Sequence, residues 1–179
     1  MKIAILGWGS LLWEGGTEFD TQHGPWACDG PSLKLEFSRI SEKRLKALTL
    51  VIDTEHGIKT TVAWCVSKRS TLADAMRDLR VREETTLENI GRATITPDAG
   101  ALNCAPSEAG IAAWARTKNL DAVIWTALKT NFQEKTMQPF SVHAALSHVK
   151  TLTVEGKVKA AEYVWRAPEF VQTPVRSAL

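Results

Sequence analysis

Glu83 is the residue whose position points most directly to chemistry. The segment from Ser70 to Glu83 reads as an amphipathic helix with an apolar stripe through Leu72, Ala75, Met76 and Leu79. At about 100° per residue, position 83 falls about 20° from position 72, on the core-facing stripe. Glu84 falls about 120° away and points elsewhere. A carboxylate among apolar side chains costs free energy unless it is paired or protonated, and desolvation raises its pKa. A carboxylate tuned in that way serves as a general base. The alternative is a stripe that ends one turn earlier, leaving Glu83 solvated in the last turn.

A second candidate opens the chain: Leu6-Gly7-Trp8-Gly9-Ser10-Leu11-Leu12-Trp13. Glycines placed directly after a buried strand permit close approach of a ligand. They also leave consecutive N–H groups to hold an anion or a developing oxyanion. The dinucleotide fingerprint fails, because Leu12 stands where its third glycine belongs, and no Gly-Lys-Ser/Thr follows to make a Walker loop. Taken alone, the segment reads equally as a tight turn without a ligand. Arg39 can face a pocket and hold a substrate carboxylate, or point outward from an alternating strand.

These residues need elements to position them. Ile3 to Leu6 reads as a buried strand entering the glycine loop, and residues 14 to 32 form a long glycine- and proline-rich connection. Leu33 to Ile40 alternates as a half-buried strand. Ala47 to Asp53 and Thr60 to Ser67 follow as two more, with a turn around His56-Gly57. This stretch predicts a meander, and closing it into a barrel would remove its edges. Thr71 caps the helix that carries Glu83, with Asp74 three residues on. Further on come a short strand at Ala93 to Ile95, a helix capped by Ser107 and reaching Trp114, and a buried strand at Ala122 to Leu128. Helices over Phe140 to Leu152 and Ala160 to Trp165, stopped by Pro168, precede an irregular tail. The expectation is one α+β domain over residues 1–179, a small closed or partly closed mixed β-barrel flanked by helices.

Composition bounds the rest. With 179 residues, 44% apolar and 23% charged, the chain is an ordinary globular one. A net charge of +2, with basic residues dispersed, points away from a nucleic-acid partner. Nothing approaches the ~20 apolar residues of a membrane span, and the N-terminal apolar run is too short for a signal peptide. Cys28, Cys65 and Cys104 form no CxxC pair, so neither a zinc site nor a disulfide framework is expected, and the setting reads as cytoplasmic. His143 and His148, five residues apart, point about 140° from each other on a helix and share no face for a metal. Cys65 reads as a core residue, and Cys104 as the nucleophile of an amide hydrolase only as a distant alternative. The seven tryptophans can line a pocket or fill core and rim. The sequence permits a homodimer without requiring one.

The two candidates together resemble the γ-glutamyl cyclotransferase superfamily, most closely its ChaC-type branch. In that branch the first strand enters Gly-Tyr-Gly-Ser-Leu-Ile-Trp, and a later helix ends Leu-Asp-Val-Arg-Glu. Here Gly7-Trp-Gly-Ser-Leu-Leu-Trp13 and Leu79-Arg-Val-Arg-Glu83 stand in the same order. The resemblance covers roughly residues 1 to 90 and, loosely, the strand at 122 to 128. Residues 130 to 179 match no signature of the family.

The resemblance implies the family's small barrel and a γ-glutamyl substrate, glutathione or a γ-glutamyl amino acid, cyclised to 5-oxoproline. Glu83 would be the general acid/base. Gly7, Trp8, Gly9, Ser10 and Leu11 would surround the γ-glutamyl head, with no metal and no cofactor. Two residues depart from the pattern: Trp8 replaces the usual Tyr, and Arg80 the usual Asp beside the base. A non-catalytic ligand-binding or interaction module on the same fold is the alternative.

Overall fold

The computed structural model describes residues 1–95 and 109–179. These build a mixed α+β protein with two sheets and several helices. The chain weaves between two compact units. The first holds Met1–Gly7, Glu14–Ser32 and Thr61–Ala127; the second holds Trp8–Trp13, Leu33–Thr60 and Leu128–Leu179.

The first unit is built on a four-stranded sheet. Its strands are β1 (Ile3–Gly7), β5 (Ala63–Val66), β6 (Ile90–Thr94) and β7 (Ala122–Thr126), in the order β5-β1-β7-β6. β1 runs parallel to β7, with Ile3, Ala4 and Ile5 opposite Ala122, Val123 and Ile124, and antiparallel to β5. All of β1 is buried, as expected of a continuous apolar strand inside a sheet. Helices α1 (Glu18–Thr21), α2 (Leu72–Arg82) and α3 (Ala109–Thr117) complete the unit, with α2 and α3 against β6 and β7. Ala75, Met76 and Leu79 are the buried residues of α2, and Ile111, Ala112 and Ala115 those of α3. Gly91 lies against the Trp125 ring, where any Cβ would collide.

The second unit holds a three-stranded sheet of β2 (Ser32–Ser41), β3 (Ala47–Ile52) and β4 (Ile58–Thr61), ordered β3-β2-β4. Helices α4 (Phe132–Thr136), α5 (Val142–Thr151), α6 (Val154–Arg166) and α7 (Pro174–Ala178) belong to it, with α5 and α6 on β3. Ala47, Leu152 and Ala160 form one buried cluster there. The Leu45 carbonyl comes so near Gly156 that a Cβ would lie 2.9 Å from it, which explains a glycine inside a helix.

The expected meander needs correction. β4 pairs on the far side of β2 rather than beside β3, and the single strand expected over Thr60 to Ser67 divides into β4 and β5. The division falls at Val62, whose N–H donates to the Pro31 carbonyl. β5 then continues as the antiparallel neighbour of β1. Neither sheet closes on itself among the described residues. The tail is not wholly irregular either, since Thr173 caps α7 by accepting the Arg176 N–H and Pro174 occupies its first turn. Cys104 and the expected cap Ser107 lie outside the described residues. No described helix is long and apolar enough to cross a membrane.

Candidate functional site

In the first unit, α2 delivers Glu83. Thr71 caps the helix by accepting the Asp74 N–H at 3.2 Å, and Arg69 donates to Asp78 at 2.6 Å along its flank. At the other end Glu84 takes a left-handed conformation, φ 46°. Its N–H donates to the Val81 carbonyl and that of Thr85 to the Arg80 carbonyl, each at 3.1 Å. This is a Schellman stop, with glutamate where glycine is usual. Glu83 is therefore the residue that closes the helix, and its side chain is 18% exposed while Glu84 is exposed. Leu72, the reference for the helical phase, is itself only half-buried.

Arg82 works beside it. Its guanidinium is largely buried, donates to the Glu14 carbonyl at 2.8 Å and lies 3.8 Å from the Glu14 carboxylate. The same group is 3.8 Å from the Glu83 carboxylate, so it balances two acids while anchoring the connection that leads into α1. Gly7, the last residue of β1, belongs to this unit and pairs with Ala63. Arg80 is half-buried on α2.

The rest of the glycine loop belongs to the second unit. Ser10–Leu12 forms a 3-10 turn in which the Leu12 N–H donates to the Gly9 carbonyl at 3.0 Å. Trp8 and Leu11 are buried, and Gly9 and Ser10 are half-buried. Gly9 faces Tyr163: a Cβ built on it would stand 2.6 Å from the tyrosine hydroxyl oxygen. Close approach, not an unusual φ, is what requires glycine here. Tyr163 is the chain's single tyrosine. Its ring meets Trp13 edge-on at 5.2 Å and Phe37 at 6.1 Å, and the Arg44 guanidinium lies 4.8 Å over it. Sequence reasoning missed this residue because about 150 positions separate it from the loop and no periodicity links them.

Arg39 in β2 is half-buried and donates to the Lys129 carbonyl at 2.7 Å. Burial lowers its pKa from the ordinary arginine value, and Glu134 opposes that shift. Its guanidinium thus already serves the backbone of its own unit.

A buried acid that the alternation of β2 did not reveal is Glu36. The register of β2 on β3 shifts between Glu36 and Arg39, so Glu36 and Ser38 are buried along with Leu35 and Phe37. Glu36 is 1% exposed and accepts the Phe37 N–H at 2.7 Å. Burial pushes its carboxyl above the ordinary glutamate value, the nearby Asp53 carboxylate adds to this, and hydrogen bonds from the Thr173 hydroxyl and the Phe37 and Val175 N–H groups offset it in part. Asp53 shifts the other way. Burial alone would raise it, but the N–H groups of His56 and Glu55, at 2.9 and 3.1 Å, and the His56 ring hold it below the ordinary aspartate value.

The remaining candidates separate by environment. Trp64 and Trp114 meet edge-on at 5.1 Å and both donate to Asp29, through its carboxylate and its carbonyl, while Trp125 is core. Trp26 packs on His23, and Trp165 stands in solvent. His148 donates to the Lys46 carbonyl at 2.8 Å, His143 is exposed, and burial raises the Cys65 thiol. Among the described residues no three His, Cys, Asp or Glu side chains gather as a metal set. A groove of about 650 Å³ in the second unit runs past Lys46, Phe132, Lys135 and His148, and none of the residues expected at the site line it.

The fold defines a class, mixed α+β with two sheets. In comparison with known proteins, no family model, no curated protein and no solved structure matches this chain.

Proposed function

We propose that this protein is a γ-glutamyl cyclotransferase-like enzyme acting on glutathione or a γ-glutamyl amino acid or amine. The observation that carries this reading is the pairing of two motifs, Gly7–Trp13 and Leu79–Glu83, with a carboxylate held mostly out of water at the end of α2. No closed sheet is present among the described residues, which leaves the family's barrel as the weaker part of the resemblance and the motifs as the stronger.

In the proposed reaction Glu83 takes a proton from the substrate's α-amino group as that nitrogen attacks the γ-carbonyl carbon. The new C–N bond closes the five-membered ring, the old amide C–N bond breaks, and Glu83 returns the proton to the departing amine. No water is consumed. The attack is intramolecular, so a site that holds the γ-glutamyl chain folded supplies much of the rate, and the chemistry needs neither metal nor cofactor. By the same resemblance, the loop from Gly7 to Leu11 would hold the γ-glutamyl head. Trp8 brings no hydroxyl, but Tyr163 places one beside Gly9.

The test is incubation with glutathione and a panel of γ-glutamyl amides, followed by mass spectrometry for 5-oxoproline. Release by the wild type and not by Glu83→Gln supports the proposal. Turnover that survives Glu83→Gln overturns it. Saturable binding of the same compounds without turnover would instead identify a binding module on this fold.

A further inference from the structure

Helix α6 is apolar on two faces. Gly156, Ala160 and Tyr163 are buried inside the second unit. On the other side Val154 is 74%, Val158 60% and Trp165 85% exposed, with Ala161 exposed between them. Spacings of four, three and four residues put these side chains within an arc of about 60°. Scattered apolar residues on a surface are ordinary; a contiguous stripe ending in an almost fully exposed tryptophan marks a contact surface.

The flanking charges say what fits the stripe. In heptad terms Val154 and Ala161 take d positions and Val158 and Trp165 take a positions, which puts Lys157 at g and Glu162 at e. When two such helices lie parallel, each g side chain faces the e side chain five residues on in its partner. Lys157 of each copy then meets Glu162 of the other, twice across the contact. An antiparallel pair would set Lys157 against Lys157 or Val164, and Glu155 against Glu162, with no opposite charges matched. Glu162 already accepts from Lys159 at 3.0 Å and lies 3.7 Å from Arg166, but a carboxylate has lone pairs for a further donor. We propose that the Val154–Val158–Ala161–Trp165 face of α6 is the contact through which two copies of this chain associate, with their α6 helices parallel. A seam of two heptads is smaller than the roughly 800 Å² per partner of a stable interface, so the dimer forms at micromolar concentrations and above.

Sedimentation equilibrium of the full chain, from low micromolar to near-millimolar concentration, tests this, with circular dichroism melts to show that each variant folds. The wild type is expected to follow a monomer–dimer equilibrium, and Trp165→Ser to weaken it by more than about a hundredfold. Lys157→Glu and Glu162→Lys should each weaken it about tenfold. Mixing those two variants should restore association as a heterodimer, and the double variant should restore it on its own. A wild type that stays monomeric throughout overturns the proposal, as does a dimer unaffected by Trp165→Ser. Single reversals without effect overturn the parallel arrangement. Binding of a strictly monomeric chain to phosphatidylserine vesicles, lost in Trp165→Ser, would assign the stripe to a lipid surface instead.

Discussion

Among the described residues, each unit holds one glutamate largely out of water, and the two are held differently. Glu36, in the second unit, is sealed: its oxygens serve the Phe37 N–H, the Thr173 hydroxyl and the Val175 N–H, and 1% of the residue reaches solvent. Glu83, in the first, sits at a helix end with part of its side chain open and the Arg82 guanidinium alongside. By burial and shifted pKa alone, Glu36 would be the better suspect for a general base. It has no access to solvent, and its Thr173 and Val175 donors tie β2 to the start of α7. Under the proposed reading, burial by itself does not mark the chemical residue, because a general base also needs access to its substrate.

The sharpest way to break this contrast is to remove each charge. Glu83→Gln should lower release of 5-oxoproline by about 10²–10⁴-fold, the usual worth of a positioned acid/base, and leave stability within about 1 kcal/mol. Glu36→Ala should do the reverse, costing on the order of 2–4 kcal/mol in urea unfolding by stranding three donors. Glu36→Gln, which keeps an acceptor, should cost less. If Glu36→Gln abolished turnover without loss of stability, the assignment of roles would be reversed.

The pH dependence separates the two acids of the second unit. A carboxyl raised by folding binds its proton more tightly in the native state, so its contribution is full below the ordinary glutamate value. It is lost as pH rises through the raised native value. Denaturation at a series of pH values should show the wild type losing stability over that window relative to Glu36→Gln. Asp53, held below its ordinary value, contributes oppositely: its share is present above the ordinary aspartate value and lost as pH falls through the lowered one. Asp53→Asn should flatten that acid limb.

Two smaller effects test the surroundings. Tyr163→Phe removes the hydroxyl beside Gly9 and should raise KM about three- to tenfold with kcat nearly kept, as measured on the best γ-glutamyl substrate. Glu84→Gly relieves a left-handed glutamate and should stabilise the protein by about 0.5–1 kcal/mol in thermal melts, with activity unchanged. A loss of turnover in Glu84→Gly would undo the choice of Glu83 over its neighbour.

Much of the local structure was legible in the sequence. The period of α2, its Thr71 cap and the apolar run of β7 are short-range properties, fixed by side-chain type and spacing. Glu83 and Glu84 could be separated by phase alone, and the structure leaves the first part-buried and the second exposed. The observed strand pairing was not to be had that way: the alternation fits several pairings, and the break at Val62 depends on Pro31, about thirty residues earlier. Glu36 eluded the alternation because four successive residues of β2, Leu35 to Ser38, are buried beside the register shift.

The sequence by itself determined the helix that carries Glu83, the glycine loop after the first strand, and the order of the two motifs. Only the tertiary structure decided that Tyr163 would meet Gly9, that Glu36 would be sealed while Glu83 stayed open, and that one face of α6 would remain uncovered. The physical reason is range. Helical phase, capping and turn formation are settled within about a dozen residues, whereas burial and partnership are settled by whichever distant segment fills the remaining space.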